Sequence, residues 1–138
     1  MSRWFGAFLV LSLVSCGTSL PTPVDLGQLE WTLSCRSGRV NHLSADIPGH
    51  VLPALTKAGL APDPNQGTNE RDVQWIEDDH WTYSTTVPTT ALAGMDSAVL
   101  IFKGLDTYAH VSVNGSLVLS TDNAHRSWTT PPFACSDD

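Results

Sequence analysis

The stretch AHVSVNGSLVLS, residues 109–120, predicts a β-hairpin. Apolar and polar residues alternate on both sides of Asn114-Gly115, and a type I′ turn prefers Asn-Gly because both of its central residues need positive φ. Two other runs are typical of strands: residues 81–87 are rich in aromatic and β-branched side chains, and residues 98–102 are continuously apolar. The second half of the chain is therefore predicted to consist of antiparallel strands.

The first half adds one strand and one helix to this picture. Residues 29–33 alternate between apolar and polar and predict a strand. The Pro48-Gly49 pair marks a turn, and the spacing of apolar residues over 51–60 predicts a short amphipathic helix that is followed by a loop over 61–69. Several short strands, one short helix and many turns favour an all-β sandwich.

The N-terminus predicts a cleavable signal peptide over residues 1–17. Arg3 precedes an uncharged apolar run over 4–14, and small residues follow, so cleavage is expected between Ser15 and Ser19. The run is shorter than the roughly 20 residues that span a membrane, so no membrane association is expected after its removal. An uncleaved interfacial or buried helix is the alternative interpretation.

A second alternative concerns Cys16. The sequence Leu13-Val14-Ser15-Cys16 also resembles a bacterial lipobox, in which the cysteine is lipidated and becomes the mature N-terminus.

Residues 18–28, after the signal peptide, are predicted to form an extended linker, because a residue that precedes a proline is disfavoured in a helix.

Composition excludes several classes of function. The 138 residues fit one domain, and a net charge of −7 leaves no basic surface for nucleic acid. Nucleotide-binding loops and hydrolase nucleophile motifs are absent from the sequence, and no cofactor is expected. No zinc site is expected either, because the five histidines have no metal-ligand spacing; they are His42, His50, His80, His110 and His125.

Cys35 and Cys135 remain if Cys16 leaves with the signal peptide. An oxidising compartment allows a disulfide between them, and closing a loop of roughly a hundred residues would stabilise the fold. Two unpaired thiols are the alternative.

Three further groups each have a functional and a structural interpretation. Asn114-Gly115-Ser116 is a glycosylation sequon at an expected hairpin tip, or a turn without sugar. Residues 77–80, Glu-Asp-Asp-His, offer acid/base groups or cation ligands, or form a solvated loop. The aromatic residues form a stacking platform for sugar rings, or fill the core; they are Trp31, Trp75, Trp81, Tyr83 and Trp128.

From residue 29 onward, a series of motifs resembles the N-terminal sugar-binding domain of the β-mannosidases of glycoside hydrolase family 2. The matching elements are Asp46-Ile47-Pro48-Gly49-His50-Val51 with Leu55 and Gly59-Leu60, then Asp63-Pro64 with Gly67, Asn69-Glu70 and Trp75-Ile76, then Trp81-Thr82-Tyr83, and finally Phe102 to Ala109 with Val113-Asn114-Gly115 and Thr121-Asp122-Asn123. This order of motifs is similar to the mannosidase branch in particular, and it covers about two thirds of the chain.

The resemblance implies a galactose-binding-like jelly-roll sandwich over residues 29–130. It also implies a retaining glycosidase that removes terminal β-D-mannose and is found in the lysosome or outside the cell. Such chemistry needs two carboxyl groups about 5 Å apart. In the family both lie in a barrel further along the chain, and the sugar-binding domain's own acidic contact also lies beyond residue 138. No residue here is therefore expected to be catalytic, and the substrate-binding residues are unknown.

The C-terminus departs from the family pattern. Arg126-Ser127-Trp128 still follows it, but residues 131–138 do not, and Pro131-Pro132 is incompatible with the interior of a central strand. The sandwich is therefore expected to be incomplete. Three hypotheses result: an inactive N-terminal fragment of a β-mannosidase, a secreted carbohydrate-binding module without a barrel, and a non-functional product of an aberrant transcript.

Overall fold

The structure is a computed structural model that describes residues 8–12 and 23–135. The rest of the predicted signal peptide, its cleavage region, Cys16 and the last three residues lie outside the described part. Its regular secondary structure consists mainly of antiparallel sheets, and the fold is all-β as predicted. The strands are β1 (Phe8–Ser12), β2 (Trp31–Cys35), β3 (Leu43–Ala45), β4 (Trp81–Ser84), β5 (Ser97–Gly104), β6 (Ala109–Val113), β7 (Ser116–Thr121), β8 (Trp128–Thr129) and β9 (Phe133–Ala134).

The helical segments are short. The described helices are α1 (Val51–Lys57) and α2 (Asn69–Asp72), with 3₁₀ turns at Leu26–Gln28, Gln74–Ile76 and Thr89–Leu92. The single predicted helix is therefore joined by a second one, which the sequence could not reveal because one turn is too short to show a periodicity. Within the described residues no helix has the length and apolar character needed to cross a membrane.

Helix α1 is shorter than the predicted 51–60. Gly59 has a φ of +71°, and its N–H bonds to the carbonyl of Thr56 at 3.0 Å while the Leu60 N–H bonds to that of Leu55 at 2.9 Å. These two bonds form a Schellman motif, which ends a helix and satisfies its last carbonyls.

The chain divides into two compact units, of which residues 30–86 form one. Its three-stranded sheet has the order β3-β2-β4, so Leu33 on the central strand lies opposite Leu43 and Tyr83. Leu33 and Leu55 are fully buried. The main core cluster of this unit contains Cys35, Val40, Leu52, Leu55, Ala61, Val73 and Ile76.

The other unit contains the described residues before 30 and after 86. Strand β5 is its centre, with Ala98, Leu100 and Phe102 buried on one face. Strand β1 pairs with residues 99–104 of β5, and β8 and β9 also pair with β5. All three pairings are antiparallel. The prolines at 131 and 132 lie between β8 and β9 and interrupt the pairing of this segment with β5, as expected of residues that cannot donate to a ladder.

The predicted hairpin is confirmed. Strands β6 and β7 pair in antiparallel register with Val113 opposite Ser116. Asn114 and Gly115 have φ values of +49° and +79°, which are the left-handed conformations that a type I′ turn requires at both central residues.

Candidate functional site

The acidic loop before β4 is organised around Asp79. One carboxylate oxygen of Asp79 accepts hydrogen bonds from the backbone N–H groups of Ser37 (3.2 Å) and His80 (2.8 Å), and the other accepts from the Ser37 hydroxyl. The backbone N–H of Arg36 also bonds to the His80 carbonyl at 2.9 Å. The carboxylate therefore ties the turn after β2 to the start of β4.

These contacts decide what Asp79 can do chemically. The hydrogen bond from the Ser37 side chain, with smaller contributions from neighbouring groups, lowers the pKa of Asp79 below its ordinary value. An ionised carboxylate with filled acceptor positions is a poor general acid. A lowered pKa stabilises the fold above the usual aspartate range, and this contribution is lost as the pH falls through the folded-state value. Within the described residues, no group of three or more His, Cys, Asp or Glu side chains could hold a metal ion.

Both remaining cysteines are free thiols in this structure. Cys35 is buried in the core cluster, where its sulfur accepts from the Val40 N–H at 3.2 Å and lies 3.3 Å from the Ser37 hydroxyl. Cys135 is half-buried, and burial, assisted by the charge of Asp96, raises the pKa of its thiol. The disulfide between Cys35 and Cys135 stays a prediction.

The structure brings two of the predicted aromatic residues together. The ring centroids of Trp75 and Trp81 are 6.0 Å apart with planes tilted by 47°. Both rings pack against the core cluster, and the Trp81 indole N–H donates to the Ile76 carbonyl at 2.9 Å. The guanidinium of Arg39 lies 5.0 Å from the Trp75 ring centroid, which is cation–π geometry. Both side chains are half-buried on the side of the core cluster, which favours the structural interpretation for this pair.

Trp128 is also held by its neighbours. Its indole N–H donates to the Asn123 carbonyl at 3.0 Å, and the guanidinium of Arg126 lies 4.0 Å above its ring. One face of Trp128 and one face of Trp75 are therefore covered by an arginine, and a sugar could stack on that face only by displacing it. The role of Arg39 was not evident from the sequence, because it arises from a contact between residues 36 positions apart.

Two buried polar atoms have no hydrogen-bond partner in the described part of the chain. They are the Tyr83 hydroxyl oxygen and His50 Nδ1. Burial raises the pKa of Tyr83 to about 12. A buried hydroxyl without a partner costs about 1 to 3 kcal/mol relative to a satisfied one.

Tyr83→Phe is expected to leave the protein as stable at neutral pH or more stable, because it removes the unpartnered hydroxyl. It also removes a source of alkaline instability. The pKa of Tyr83 is higher in the folded state than in the unfolded state, so the unfolded state loses this proton first. The stability that the neutral Tyr83 side chain contributes is therefore fully present below pH 10 and is lost as the pH rises to 12. Over this pH range the parent should lose about 1 to 2 kcal/mol of its free energy of unfolding. This loss is smaller than a shift of about two pK units would give, because the Tyr83 side chain is only partly buried.

The measurement is denaturant unfolding across that pH window, with phenolate absorbance recorded in parallel. The chain has two tyrosines, so Tyr108→Phe is the matched control. Tyr108 is 85% exposed, and its replacement should leave the pH dependence of stability as it is in the parent. Equal pH dependence in the parent and in Tyr83→Phe would contradict the assignment.

The sequon residue Asn114 is exposed at the tip of the β6–β7 hairpin. Glycosylation there stays a prediction, and Ser116→Ala tests it while keeping the Asn-Gly turn. If Asn114 carries a glycan, the parent secreted from a eukaryotic host shifts on a gel after endoglycosidase treatment and Ser116→Ala does not. Ser120→Ala, further along β7, is the matched control and should still shift. A parent that does not shift excludes the glycan.

Comparison with known proteins places these features in a family. Residues 31–131 match the model of the family described as glycosyl hydrolase 2 galactose-binding domain-like. The chain is 37% identical over 105 residues to Beta-mannosidase A of Emericella nidulans, which covers 76% of the chain and 11% of that protein. It is 35% identical over 117 residues to Beta-mannosidase of Mus musculus, which covers 83% and 13%.

A third relative is a Beta-mannosidase B. Beta-mannosidase B of Aspergillus oryzae is 39% identical over 88 residues, covering 58% of the chain and 10% of that protein. The chain thus spans about a tenth of the length of the curated relatives it matches. No solved structure matches it.

Proposed function

Because the chain belongs to the glycosyl hydrolase 2 galactose-binding domain-like family, we propose that it is the N-terminal, non-catalytic domain of a β-mannosidase. The observation that carries the proposal is the match over residues 31–131, together with relatives named as β-mannosidases from fungi and a mammal. The complete enzyme would release terminal, non-reducing β-D-mannose from oligosaccharides and glycoproteins. The carbohydrate would be bound and cleaved with residues outside this chain.

The local chemistry supports a non-catalytic role for these residues. A retaining glycosidase needs one carboxyl group whose pKa is raised, so that it can protonate the leaving oxygen. The pKa of Asp79 is shifted in the opposite direction, and its oxygens accept hydrogen bonds from Ser37 and His80, so Asp79 is unsuited to be that acid. We expect the purified chain to show no hydrolysis of a chromogenic β-mannoside, because the proposed catalytic carboxyl groups are not among its residues. Turnover that co-purifies with the chain through successive columns would contradict this expectation.

The proposed route is the secretory pathway, to the lysosome or to the outside of the cell. The signal-peptide pattern supports this route, and the fungal and mammalian relatives support it over a bacterial lipoprotein anchored through Cys16. The alternative of an independent carbohydrate-binding module has less support, because the Trp75 and Trp81 rings are packed against the core cluster.

A chimera tests the proposed domain role directly. The segment of the mouse β-mannosidase that aligns with this chain would be replaced by residues 31–131, and β-mannoside hydrolysis would be measured. If this chain is the equivalent domain, the chimera folds and keeps activity within about tenfold of the parent enzyme. The control replaces the same segment with an unrelated β-sandwich and should be inactive. A soluble chimera without activity would contradict the proposal.

Reading the transcript beyond the codon of Trp128 separates the remaining hypotheses. An open frame that continues into a barrel supports the β-mannosidase domain. A stop codon together with a folded product that binds mannosides supports the independent module. A stop codon with a product that neither folds nor binds supports the aberrant transcript.

A further inference from the structure

Asn114 differs from the other asparagines of the chain in the residue that follows it and in its contacts. It is the only asparagine followed by a glycine. Each of the other four makes a side-chain hydrogen bond, and these residues are Asn41, Asn65, Asn69 and Asn123. The Asn114 side chain is exposed and has no hydrogen-bond partner among the described residues. Its amide group is therefore open to reaction.

An exposed Asn-Gly pair can deamidate with water as the only co-reactant. The Gly115 nitrogen loses its proton and attacks Cγ of Asn114, so that an N–Cγ bond forms, the Cγ–Nδ2 bond breaks and ammonia leaves. Water then opens the resulting succinimide ring at Cγ, which gives aspartate, or at the backbone carbonyl, which gives isoaspartate. Glycine favours the attack because it has no Cβ to hinder the approach of its nitrogen. The space around Gly115 is also open, since a Cβ built there would meet no atom within 4 Å.

The folded turn opposes this reaction. The ring contains Cα, Cβ and Cγ of Asn114, so Cβ and the Gly115 nitrogen must lie on the same side of the Cα–C bond. Asn114 has a φ of +49°, and the first central residue of a type I′ turn has a ψ of about +30°. For an L-residue this ψ places the Gly115 nitrogen nearly opposite Cβ. The ring can therefore close only after the turn has opened.

The hairpin that forms this turn is held by few contacts. Strands β6 and β7 make a two-stranded sheet, and no third strand pairs with them in the described part of the chain. Thr121 is the only buried residue of the two strands. Its hydroxyl accepts from the Ala109 N–H at 3.0 Å and donates to the Thr107 carbonyl at 3.3 Å. A two-stranded hairpin is marginally stable by itself, so opening it costs less free energy than unfolding the whole chain.

We propose that Asn114 is a deamidation site and that opening of the β6–β7 hairpin controls the rate of the reaction. The closed type I′ turn protects the side chain, and the open hairpin allows the succinimide ring to form. The proposal is independent of the enzymatic role proposed above.

Deamidation changes this turn permanently. Isoaspartate carries the main chain through the side-chain carbon, which adds a backbone atom to the two-residue turn. Val113 and Ser116 then no longer face each other in the native register. Both products add a carboxylate and remove the asparagine of the sequon. An unglycosylated chain that has reacted therefore cannot be glycosylated at this residue.

The test uses the 138-residue chain produced in a bacterial host, where no sugar blocks Asn114. The chain is kept at mildly alkaline pH, which promotes loss of the Gly115 amide proton, and peptide mass spectrometry quantifies aspartate and isoaspartate at residue 114 over time. The rate in guanidinium chloride, where the hairpin is open, should exceed the native rate by at least about tenfold. In the denaturant, Asn114 should also react faster than the other four asparagines.

Thr121→Val opens the hairpin more often without changing Asn114 or Gly115. It keeps the side-chain shape but leaves the Ala109 N–H without its acceptor, and it should raise the native rate by roughly tenfold. Hydrogen exchange of the amide protons in β6 and β7 should rise by the same factor, which distinguishes local opening from a misfolded variant.

Thr85→Val is the matched control. The Thr85 hydroxyl donates to the Glu30 carbonyl at 2.7 Å in the unit of residues 30–86, away from β6 and β7 in the chain. This variant also loses one threonine hydroxyl that bonds to the backbone, and its native rate at Asn114 should equal that of the parent.

Three results would overturn the proposal. Equal rates in native buffer and in denaturant would show that the closed turn gives no protection. A native rate in Thr121→Val that equals the rate in Thr85→Val would show that hairpin opening does not control the reaction. A rate at Asn114 in denaturant no higher than at the other asparagines would exclude the site itself.

Discussion

Leu55→Ala is expected to lower the free energy of unfolding by about 3 to 4 kcal/mol, the largest effect predicted for any truncation considered in this protein. Leu55 is fully buried and belongs to the core cluster of the unit formed by residues 30–86. Truncation removes apolar contacts and leaves a cavity that the surrounding side chains fill only in part. Its backbone carbonyl also accepts the bond that closes α1, so the cavity lies where the end of the helix meets the core.

Leu60→Ala is the matched control, since it deletes the same atoms five residues later. Leu60 is 51% exposed, and its truncation should cost less than about 1 kcal/mol. Denaturant unfolding followed by tryptophan fluorescence measures the loss of stability in both variants. If the two variants differ by less than about 1 kcal/mol, the core assignment of Leu55 is wrong.

Gly49→Ala is expected to destabilise the protein by about 3 kcal/mol, at the upper end of the range for overpacking. A Cβ at residue 49 would overlap the backbone carbonyl oxygen of Asp46 and lie 3.2 Å from its carbonyl carbon. Backbone atoms cannot move aside as the end of a flexible side chain can, so the turn before α1 must open. The overlap explains why a glycine follows Pro48 in this turn.

Gly59→Ala separates this overlap from backbone strain. A Cβ at residue 59 would meet no atom within 4 Å, but its φ of +71° is unfavourable for alanine. The expected cost is about 1 to 2 kcal/mol, which is the penalty for the left-handed conformation alone. Thermal unfolding of both variants gives the comparison, and a larger loss for Gly59→Ala would contradict the close approach at Gly49.

Local sequence signals predicted several elements closely. The hairpin of β6 and β7 was predicted with its turn, because Asn-Gly flanked by alternating residues encodes both. The start of α1 and the apolar run of β5 were also predicted. Strands β1, β3, β8 and β9 were missed. Residues 8–12, which form β1, were assigned to the signal peptide. Strands β3, β8 and β9 have only two or three residues each, and each forms because a longer strand offers it a partner, which periodicity along the chain does not record.

The site features depend still more on contacts distant in sequence. The carboxylate of Asp79 binds Ser37, 42 residues away. Arg39 lies over Trp75, and Tyr83 has a buried hydroxyl without a partner. The sequence showed an acidic loop and a set of aromatic residues, with two interpretations for each. The hydrogen bonds and ring contacts favour the structural interpretation in both cases, because they occupy the groups that a ligand would need.

By itself, the sequence determined the all-β class, the β6–β7 turn, the start of α1 and the resemblance that the family match confirms. These follow from residue types whose local conformational preferences are strong, such as Asn-Gly, proline and alternating apolar residues. Only the tertiary structure decided that Asp79 ties two segments together, that Trp75 and Trp81 pack against a core, and that residues 8–12 of the predicted leader pair with β5. Those contacts depend on which residues distant in sequence come together when the backbone forms its hydrogen bonds and the apolar side chains are buried. No local pattern in the chain encodes these pairings.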